Sequence, residues 1–210
     1  MNRLIIFPQL STNFLQKEYK QMNHIYNQPQ FGENWFTYPN LYSRFVKELP
    51  SGSKIVEVGS WKGKSVAYLG VEIINSGKDI KVDAVDTWSE IDSEKYHTSD
   101  VYVKTNTLYQ LFLGNISSVS NVVTPVRMSS LDAAKLYEDE SIDVVFIDAC
   151  HEYQCVKNDI AAWFPKVKKG GYVSGHDYPW SGEDAVKRAV DESIPQPFEV
   201  TEGCWVYRKP

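Results

Sequence analysis

Short runs of apolar, β-branched residues alternate with longer amphipathic stretches from residue 54 onward. The short runs predict buried strands at residues 55–58, 80–85, 122–126, 142–147 and 171–174. The longer stretches predict helices at residues 64–75, 131–137 and 153–167. Alternating strands and helices form right-handed βαβ units, which build a parallel sheet covered on both faces. The pattern therefore predicts an α/β fold with a doubly wound, mostly parallel sheet.

The carboxyl end of the chain predicts a different arrangement of strands. Apolar runs at residues 198–201 and 204–208 are separated only by Glu202 and Gly203. A two-residue connection of this kind is typical of a β-hairpin. We therefore expect the sheet to end in an antiparallel hairpin.

Two further segments stand outside the alternation. Residues 1–39 are polar, rich in aromatic side chains and only weakly periodic. We expect them to be a lid or an interface segment beside one domain of residues 40–210, which begins with a helix at residues 40–49.

Residues 87–120 are too long for a simple connection and contain one predicted helix at residues 106–113. A long insertion in such a fold often covers a binding site, so we expect a second lid there.

Composition and charge narrow the class of protein. The chain has 210 residues, of which 42% are hydrophobic and 23% charged, as in ordinary globular proteins. Its net charge of -5, without a basic patch, argues against a nucleic-acid partner. The apolar run at residues 4–7 is too short for a membrane span or a signal peptide. Three scattered cysteines do not make a disulfide framework, so we expect a cytoplasmic protein with no membrane partner.

A glycine turn follows the first predicted strand. Glu57 lies near the end of that strand, Gly59 and Gly63 bracket a tight turn, and a helical run begins at Lys64. Glycine allows the backbone to approach a ligand closely, and the unpaired N–H groups at a helix start favour a negative group. Strand, glycine turn and helix together are the local geometry of a nucleotide-type cofactor site.

Three classes of cofactor site could use this turn. A dinucleotide site needs a further glycine between Gly59 and Gly63, so NAD and FAD are disfavoured. A phosphate loop needs one residue more than the run from Gly59 to Ser65 provides. Residues 144–148 nevertheless imitate the strand that accompanies such loops, so a nucleotide-binding NTPase stays an alternative. The third pattern is an acid followed by Gly-x-x-x-Gly, and Glu57 to Gly63 resemble this signature of the class I S-adenosylmethionine-dependent methyltransferases.

The resemblance to class I methyltransferases extends to the next strand. That family carries an acid at the tip of this strand, and Asp86 stands there. The two oxygens of a carboxylate match the two adjacent ribose hydroxyls of the cofactor. The alternative is that Asp86 only caps a turn. The resemblance implies that Glu57 and the glycine turn hold the methionine part of the cofactor, while Asp86 holds the ribose.

The later half of the chain resembles a narrower group, the macrocin-type and catechol-type O-methyltransferases. The similar segments are residues 143–153, 169–178 and 184–192. The resemblance as a whole covers residues 54–192. It implies that Asp148 and Asp177 bind a divalent cation, usually magnesium, because carboxylate oxygens suit such an ion and the ion lowers the pKa of a substrate hydroxyl.

Two histidines near these aspartates have open roles. His176 stands where macrocin-type enzymes carry a second acid, and an imidazole suits manganese, iron or zinc better than magnesium. We expect His176 to be a third metal ligand, with a base or a structural histidine as alternatives. His151 lies near the position of the catalytic lysine in catechol-type enzymes, and imidazole titrates near physiological pH. We expect His151 to take the proton from the acceptor hydroxyl; the alternative is a cap of the following helix.

The remaining expected cofactor contacts lie on both sides of the glycine turn. Ser130 matches the position at which catechol-type enzymes contact adenine with a serine. Trp88 is expected beside the base, with plain packing as the alternative. The full set of expected cofactor contacts is Glu57, Gly59, Ser60, Gly63, Ser65, Asp86, Thr87, Trp88, Ser130 and Asp148.

These observations predict an S-adenosylmethionine-dependent methyltransferase. We expect it to methylate a hydroxyl of a small molecule, such as a sugar, a polyketide or a phenol, with help from Mg²⁺ or another divalent cation. The alternatives are a phosphate-loop NTPase and a binding module that keeps the fold without the chemistry. The aromatic residues 35–38 are expected to cover the substrate or to pack a dimer interface, which leaves a homo-oligomer open.

Overall fold

The computed structural model describes residues 21–32, 34–89, 99–179 and 184–210. Seven strands form one sheet in the order β3-β2-β1-β4-β5-β7-β6. The strands are β1 (Lys54–Val58), β2 (Lys81–Asp86), β3 (Val123–Arg127), β4 (Ile142–Ile147), β5 (Val167–Gly175), β6 (Glu199–Thr201) and β7 (Cys204–Arg208). Strands β1 to β5 are parallel, and β7 is antiparallel to both of its neighbours. The predicted doubly wound sheet with a terminal antiparallel hairpin is confirmed.

Helices cover both faces of this sheet. They are α1 (Pro39–Glu48), α2 (Lys64–Ser76), α3 (Val101–Lys104), α4 (Leu108–Asn115), α5 (Ser130–Ala134), α6 (Tyr153–Trp163) and α7 (Ala185–Ser193). Successive strand residues point to opposite faces, so β4 sends Val144 and Phe146 into one core and Val145 and Ile147 into the other. The first core packs against α1, α2 and α4, and the second against α5, α6 and α7.

The end of α6 differs from the prediction. We predicted a helix over residues 153–167, but the α-helix ends at Trp163 and a single 3-10 turn follows at Phe164–Lys166. Phe164 keeps a helical conformation and donates its N–H to the carbonyl oxygen of Ile160, but Pro165 has no N–H group, so the regular hydrogen bonds stop there. The predicted extension of this helix to residue 167 is therefore wrong.

Strand β5 consequently begins earlier than predicted. We expected residues 171–174, but pairing with β4 already starts at Val167, which lies opposite Ile142. The register then shifts, and Tyr172 lies opposite Val144. The extra residues of β5 form an irregularity between these two pairs, which no apolar run in the sequence indicates.

The predicted insertion is described only in part. Residues 90–98 lie outside the described residues, and so do residues 1–20 of the predicted amino-terminal segment. In the described part of the insertion, α4 overlaps the helix that we predicted at residues 106–113, and α3 is a short helix before it that we did not predict. No helix among the described residues is both long and apolar enough to cross a membrane.

Candidate functional site

A cleft opens at the edge of the sheet where the parallel strands end. It has a volume of about 280 Å³ and lies beyond β1, β2 and β4, beside the first turns of α5 and α6. Ligands of doubly wound sheets bind at this edge. The residues in its wall that we had expected to contact a cofactor are Gly59, Asp86, Thr87, Ser130 and Asp148.

Gly59 brings two strand ends close together at the floor of the cleft. Its φ of 89° lies in the left-handed region that favours glycine. A side-chain carbon at this position would lie 2.0 Å from the carbonyl oxygen of Asp148. No other residue fits there, so the turn exposes bare backbone to whatever occupies the cleft.

Asp86 holds the glycine turn in place. One of its carboxylate oxygens accepts the backbone N–H groups of Ser60 and Trp61, each at 2.9 Å. The other accepts the N–H of Trp88 at 2.7 Å. Asp86 therefore caps the turn, as the alternative interpretation predicts, and it also lies in the cleft wall.

Thr87 has a buried polar atom that the described part of the chain does not satisfy. Among the described residues, nothing pairs with the buried hydroxyl oxygen of Thr87 by a hydrogen bond. A buried polar group without a partner costs free energy, of the order of 1–3 kcal/mol. Because Thr87 lies in the cleft wall beside Asp86, a ligand hydroxyl is a suitable partner.

Glu57 lies beneath the turn and is fully buried. Its carboxylate accepts hydroxyl groups from Tyr42 and, at 2.9 Å each, from Ser60 and Ser65. Burial raises the pKa of Glu57 to about 7, and the three hydrogen bonds oppose that rise. The side chain supports the turn from below, and its contact with the methionine part of a cofactor stays a prediction.

The far end of the cleft contains a polar chain. Asp159 and Trp163 are part of the family resemblance, but neither was assigned a role from the sequence. The indole N–H of Trp163 donates to the hydroxyl of Ser130 at 2.9 Å, and that hydroxyl donates to Asp159. Asp159 is only 5% exposed and lies in the cleft wall together with Asn158. Burial raises the pKa of Asp159 to about 6, against the effect of the Ser130 hydrogen bond. The available signal was the four-residue spacing of Asp159 and Trp163, which places both on one face of α6.

Trp88 lies in the core. It is 1% exposed, and its ring packs against Tyr109 and Phe112. Its indole N–H donates to the carbonyl oxygen of Trp61 at 2.9 Å. The structure therefore agrees with the packing alternative, because a ring held on all sides presents no open face to a base.

A cluster of acids and histidines lies at the near end of the cleft, after β4 and β5. The Nε2 atom of His151 lies 2.8 Å from Oδ2 of Asp177. Asp148, His151 and Asp177 each offer a ligand atom, and these three atoms lie within 4.8 Å of one another. Two carboxylates and one imidazole are a suitable donor set for a divalent cation.

His176 occupies the space between the two acids. Its Nδ1 atom lies 3.3 Å from Asp177 and 3.6 Å from Asp148. Burial lowers the pKa of His176, but hydrogen bonds and charges from the two acids outweigh burial and raise it to about 10. We expected Asp148, His176 and Asp177 as metal ligands. The three residues whose ligand atoms converge within 4.8 Å contain His151 in place of His176.

The described end of the amino-terminal segment covers this cluster. The hydroxyl of Tyr38 donates to Asp148 at 2.9 Å, and the hydroxyl of Thr37 lies 3.1 Å from Nε2 of His176. Glu202, in the β6–β7 turn, accepts the backbone N–H of Leu41 at 3.0 Å. The sequence left two alternatives for residues 35–38, a cover over the substrate or a dimer interface. It did not indicate that Tyr38 contacts the acid cluster. The contacts place Thr37 and Tyr38 at the acid cluster, and the role of this segment as a lid or an interface stays a prediction.

A protein-family model described as a methyltransferase domain matches residues 56–178. The matched region is more than half of the chain, and it contains β1 to β5 together with the cleft and the acid cluster. The chain belongs to this methyltransferase family. The predicted resemblance to class I S-adenosylmethionine-dependent methyltransferases is confirmed.

Two curated relatives match parts of the methyltransferase. Uncharacterized protein R132 of Acanthamoeba polyphaga mimivirus is 38% identical over 76 residues, which are 30% of this chain and 33% of that protein. Uncharacterized protein y4gI of Sinorhizobium fredii is 26% identical over 124 residues, 59% of this chain and 13% of that protein. The chain thus spans a third or less of the length of these relatives.

Solved structures share the fold. The O-methyltransferase NovP superimposes with a TM-score of 0.62 at 18% identity, over 81% of this chain and 78% of that chain. A SAM-dependent O-methyltransferase from Thermotoga maritima gives a TM-score of 0.51 at 16% identity, over 80% of this chain and 59% of that chain. At these identities the similarity shows the architecture of the methyltransferase.

The other expected cofactor contacts of the methyltransferase lie behind the cleft wall. Ser60 and Ser65 are buried and donate to Glu57, and Gly63 begins α2 with a φ of 83°. Their position supports the shape of the turn, and direct contact with a cofactor stays a prediction for them. Gly59 and Asp86 lie in the cleft wall, where turn backbone and a carboxylate fit the cofactor that the family uses.

Proposed function

We propose that the protein transfers the methyl group of S-adenosylmethionine to a hydroxyl oxygen of a small molecule, with help from a divalent cation. One observation carries the proposal: Asp148 belongs both to the wall of the cofactor cleft and to the converging set of Asp148, His151 and Asp177. A cation on these residues therefore lies beside the cofactor. The acceptor oxygen would be held next to the methyl group that it attacks.

We propose a neighbour in the cleft for each part of the cofactor. Asp86 and Thr87, which both lie in the cleft wall, would contact the two ribose hydroxyls. The glycine turn is placed for the methionine part. Asp159, at the other end, is placed to accept a hydrogen bond from the adenine amino group. Such an arrangement fixes the position of the reacting methyl group, and alignment of nucleophile, methyl and sulfur supplies much of the rate.

His151 is the proposed proton acceptor. Asp177 lies 2.8 Å from Nε2 of His151 and so holds the orientation of the imidazole, which is the arrangement of a general base with a supporting carboxylate. A divalent cation, when bound, lowers the pKa of a coordinated hydroxyl and so prepares it for deprotonation. Asp148 and Asp177 would hold that cation, and either His151 or His176 would supply the third ligand.

Two measurements distinguish these roles of the histidines. If His151 is the base, then His151→Ala lowers turnover at least about a hundredfold while Mn²⁺ affinity changes little. His176→Ala then lowers the affinity for Mn²⁺. Loss of Mn²⁺ affinity in His151→Ala, with no such loss in His176→Ala, would make His151 the ligand instead.

The cofactor assignment is tested by calorimetry with S-adenosylhomocysteine. Asp86→Asn is expected to lower its affinity at least about tenfold, because a neutral amide is a poorer acceptor for two hydroxyls. Asp79→Asn is the control, since Asp79 is an exposed acid that does not line the cleft. Saturable binding of ATP without any binding of S-adenosylhomocysteine would favour the phosphate-loop alternative and would overturn the proposal.

The acceptor is sought with a panel of sugars, polyketides and phenols, by the release of S-adenosylhomocysteine with Mn²⁺ or with a chelator. We expect turnover of at least one hydroxyl compound that the chelator abolishes. Cofactor binding with no turnover of any compound would instead favour the non-catalytic binding module. The expected cytoplasmic location and the expected absence of a nucleic-acid partner remain predictions from composition.

A further inference from the structure

A second cluster of ligand groups lies on the loop between β4 and α6. Cys150 and Glu152 belong to this loop, and Cys155 lies in the first turn of α6. Two sulfur atoms and one carboxylate oxygen lie within 4.8 Å of one another. The groups come from only six consecutive residues, so a short stretch of backbone sets their relative positions. The proposed methyl transfer uses none of them.

The chemistry of this cluster differs from that of the neighbouring acids. Thiolates are soft ligands that bind zinc at about 2.3 Å, and tetrahedral zinc accepts two sulfurs together with a carboxylate. In that geometry the sulfur atoms lie about 3.8 Å apart. The ligand atoms of Cys150, Glu152 and Cys155 lie within 4.8 Å of one another, so each needs to move by about 1 Å to reach the separation found around a bound zinc. Rotation of the side chains provides a movement of this size.

We propose that Cys150, Glu152 and Cys155 form a binding site for a thiophilic divalent cation such as Zn²⁺. Each thiol gives up one proton to solvent when the cation binds, so one Zn²⁺ releases two protons. Three protein ligands leave a fourth position, which a water molecule fills. This site is separate from the cation position at Asp148 and Asp177, whose oxygen and nitrogen donors suit harder ions.

The location couples this cation to the cofactor. Both cysteines lie in the wall of the cofactor cleft, beside Asn158 and Asp159. A cation with its water ligand occupies space that the adenosine part of a cofactor would fill. Cation and cofactor therefore weaken each other's binding, and the two effects are equal by linkage. Zinc at this loop thus acts as an inhibitor of cofactor binding.

The site is tested by titrating the reduced protein with Co²⁺ and recording the near-ultraviolet band that only thiolate ligands produce. The parent is expected to develop this band with one equivalent of Co²⁺ and to lose it when Zn²⁺ is added. Cys150→Ser and Cys155→Ser each weaken the band, because one thiolate remains, and lower Zn²⁺ affinity at least about tenfold in competition with a chromophoric chelator. The double variant abolishes the band. Circular dichroism confirms that the variants are folded.

Two variants serve as controls. Cys204→Ser changes a buried cysteine outside the cluster and keeps the band. Asp177→Asn damages the proposed hard-cation position at Asp148 and Asp177, but it should keep the near-ultraviolet band. The result therefore does not depend on the proposed methyl transfer. Absence of the band in the parent, or its persistence when both Cys150 and Cys155 are serine, would overturn the site.

The inhibitory coupling has its own measurement. S-adenosylhomocysteine is titrated into the parent and into Cys155→Ser, with and without saturating Zn²⁺. Zinc is expected to weaken binding at least about fivefold in the parent and to leave the variant unchanged. Equal effects of zinc on both proteins would show that the cation acts elsewhere.

Discussion

Glu57 shows how one buried acid serves a turn at a cost in stability. Its carboxylate receives three hydroxyl groups and orders the glycine turn from below. The price is desolvation of a charge, and burial raises the pKa of Glu57 from 4.5 to about 7. A raised pKa means that the native state binds the proton more tightly than the unfolded state does. The contribution of Glu57 to stability is therefore greatest below pH 4.5 and falls as the pH rises through about 7.

This effect is measurable as a change in the free energy of unfolding. The difference between an ordinary pKa and the raised one corresponds to roughly 3 kcal/mol. We expect Glu57→Gln to remove most of that pH dependence, as followed by urea unfolding between pH 4.5 and 8. Glu138→Gln is the control, because Glu138 is exposed. Parallel curves for the parent and Glu57→Gln would show that the carboxyl does not titrate as described.

Asp159 is the residue whose role changes most between sequence and structure. We expected Ser130 to contact adenine, but its hydroxyl already donates to Asp159 and accepts from Trp163. The acid at the end of this chain is therefore the better partner for an adenine amino group. Nothing in the sequence near Ser130 indicates this, because the hydrogen bond joins residues 29 positions apart.

The charge state of Asp159 predicts how cofactor binding depends on pH. Burial raises its pKa to about 6, so the carboxylate form that accepts the amino group dominates only above that pH. The affinity for S-adenosylhomocysteine should fall as the pH drops through 6. Asp159→Asn should bind about tenfold or more weakly at pH 7.5 and show a flatter profile, by calorimetry. Asp132→Asn, an exposed acid on α5, should match the parent; a parent profile that is flat from pH 5 to 8 contradicts the assignment.

At the scale of elements, the sequence predicts those strands and helices whose positions depend on a local pattern of apolar residues. β-branched runs located the core strands to within one residue at β1, β2, β3 and β4, because strands buried on both faces need such runs. The prediction failed where Pro165 and the register shift of β5 rearranged the chain. It also left the amino-terminal segment undecided, because the contacts of Tyr38 and Thr37 with the acid cluster join residues more than a hundred positions apart.

The segment before α1 is expected to tune the cation position. The Tyr38 hydroxyl donates to Asp148 at 2.9 Å, and the ring packs on Phe146 and His176. Groups that orient a ligand in this way commonly contribute ten- to a hundredfold to metal affinity. Tyr38→Phe keeps the ring and should lower Mn²⁺ affinity about tenfold, with little change in the binding of S-adenosylhomocysteine.

The matched control for this variant is Tyr26→Phe. Tyr26 lies in the same aromatic cluster, where its ring packs against Phe36 and Tyr68. The variant Tyr26→Phe should bind Mn²⁺ with the same affinity as the parent. Binding is measured by the loss of the electron paramagnetic resonance signal of free Mn²⁺. If both variants lose affinity equally, the aromatic packing and not the hydroxyl supports the site.

At the scale of the whole molecule, the cleft lies where the two cores meet. Strands β1 and β4 contribute side chains to both cores, and their carboxyl ends form the floor beneath the cofactor. Trp88 lies in one core, and Trp163 and Trp205 lie in the other. Because the shared central strands join the layers, we expect both cores to unfold in one transition.

A cofactor bound at this junction should stabilise both cores together. At a hundred times its dissociation constant, S-adenosylhomocysteine is expected to raise the free energy of unfolding by about 2.7 kcal/mol. Tryptophan fluorescence of Trp88→Phe keeps Trp163 and Trp205 in the second core, whereas the double variant Trp163→Phe/Trp205→Phe keeps Trp88 in the first. The shift in urea midpoint should be the same in both proteins. ATP at the same concentration should leave both midpoints unchanged. A shift confined to one reporter would mean that the ligand does not bind across the central strands, and the cleft beyond β1 and β4 would lose its assignment.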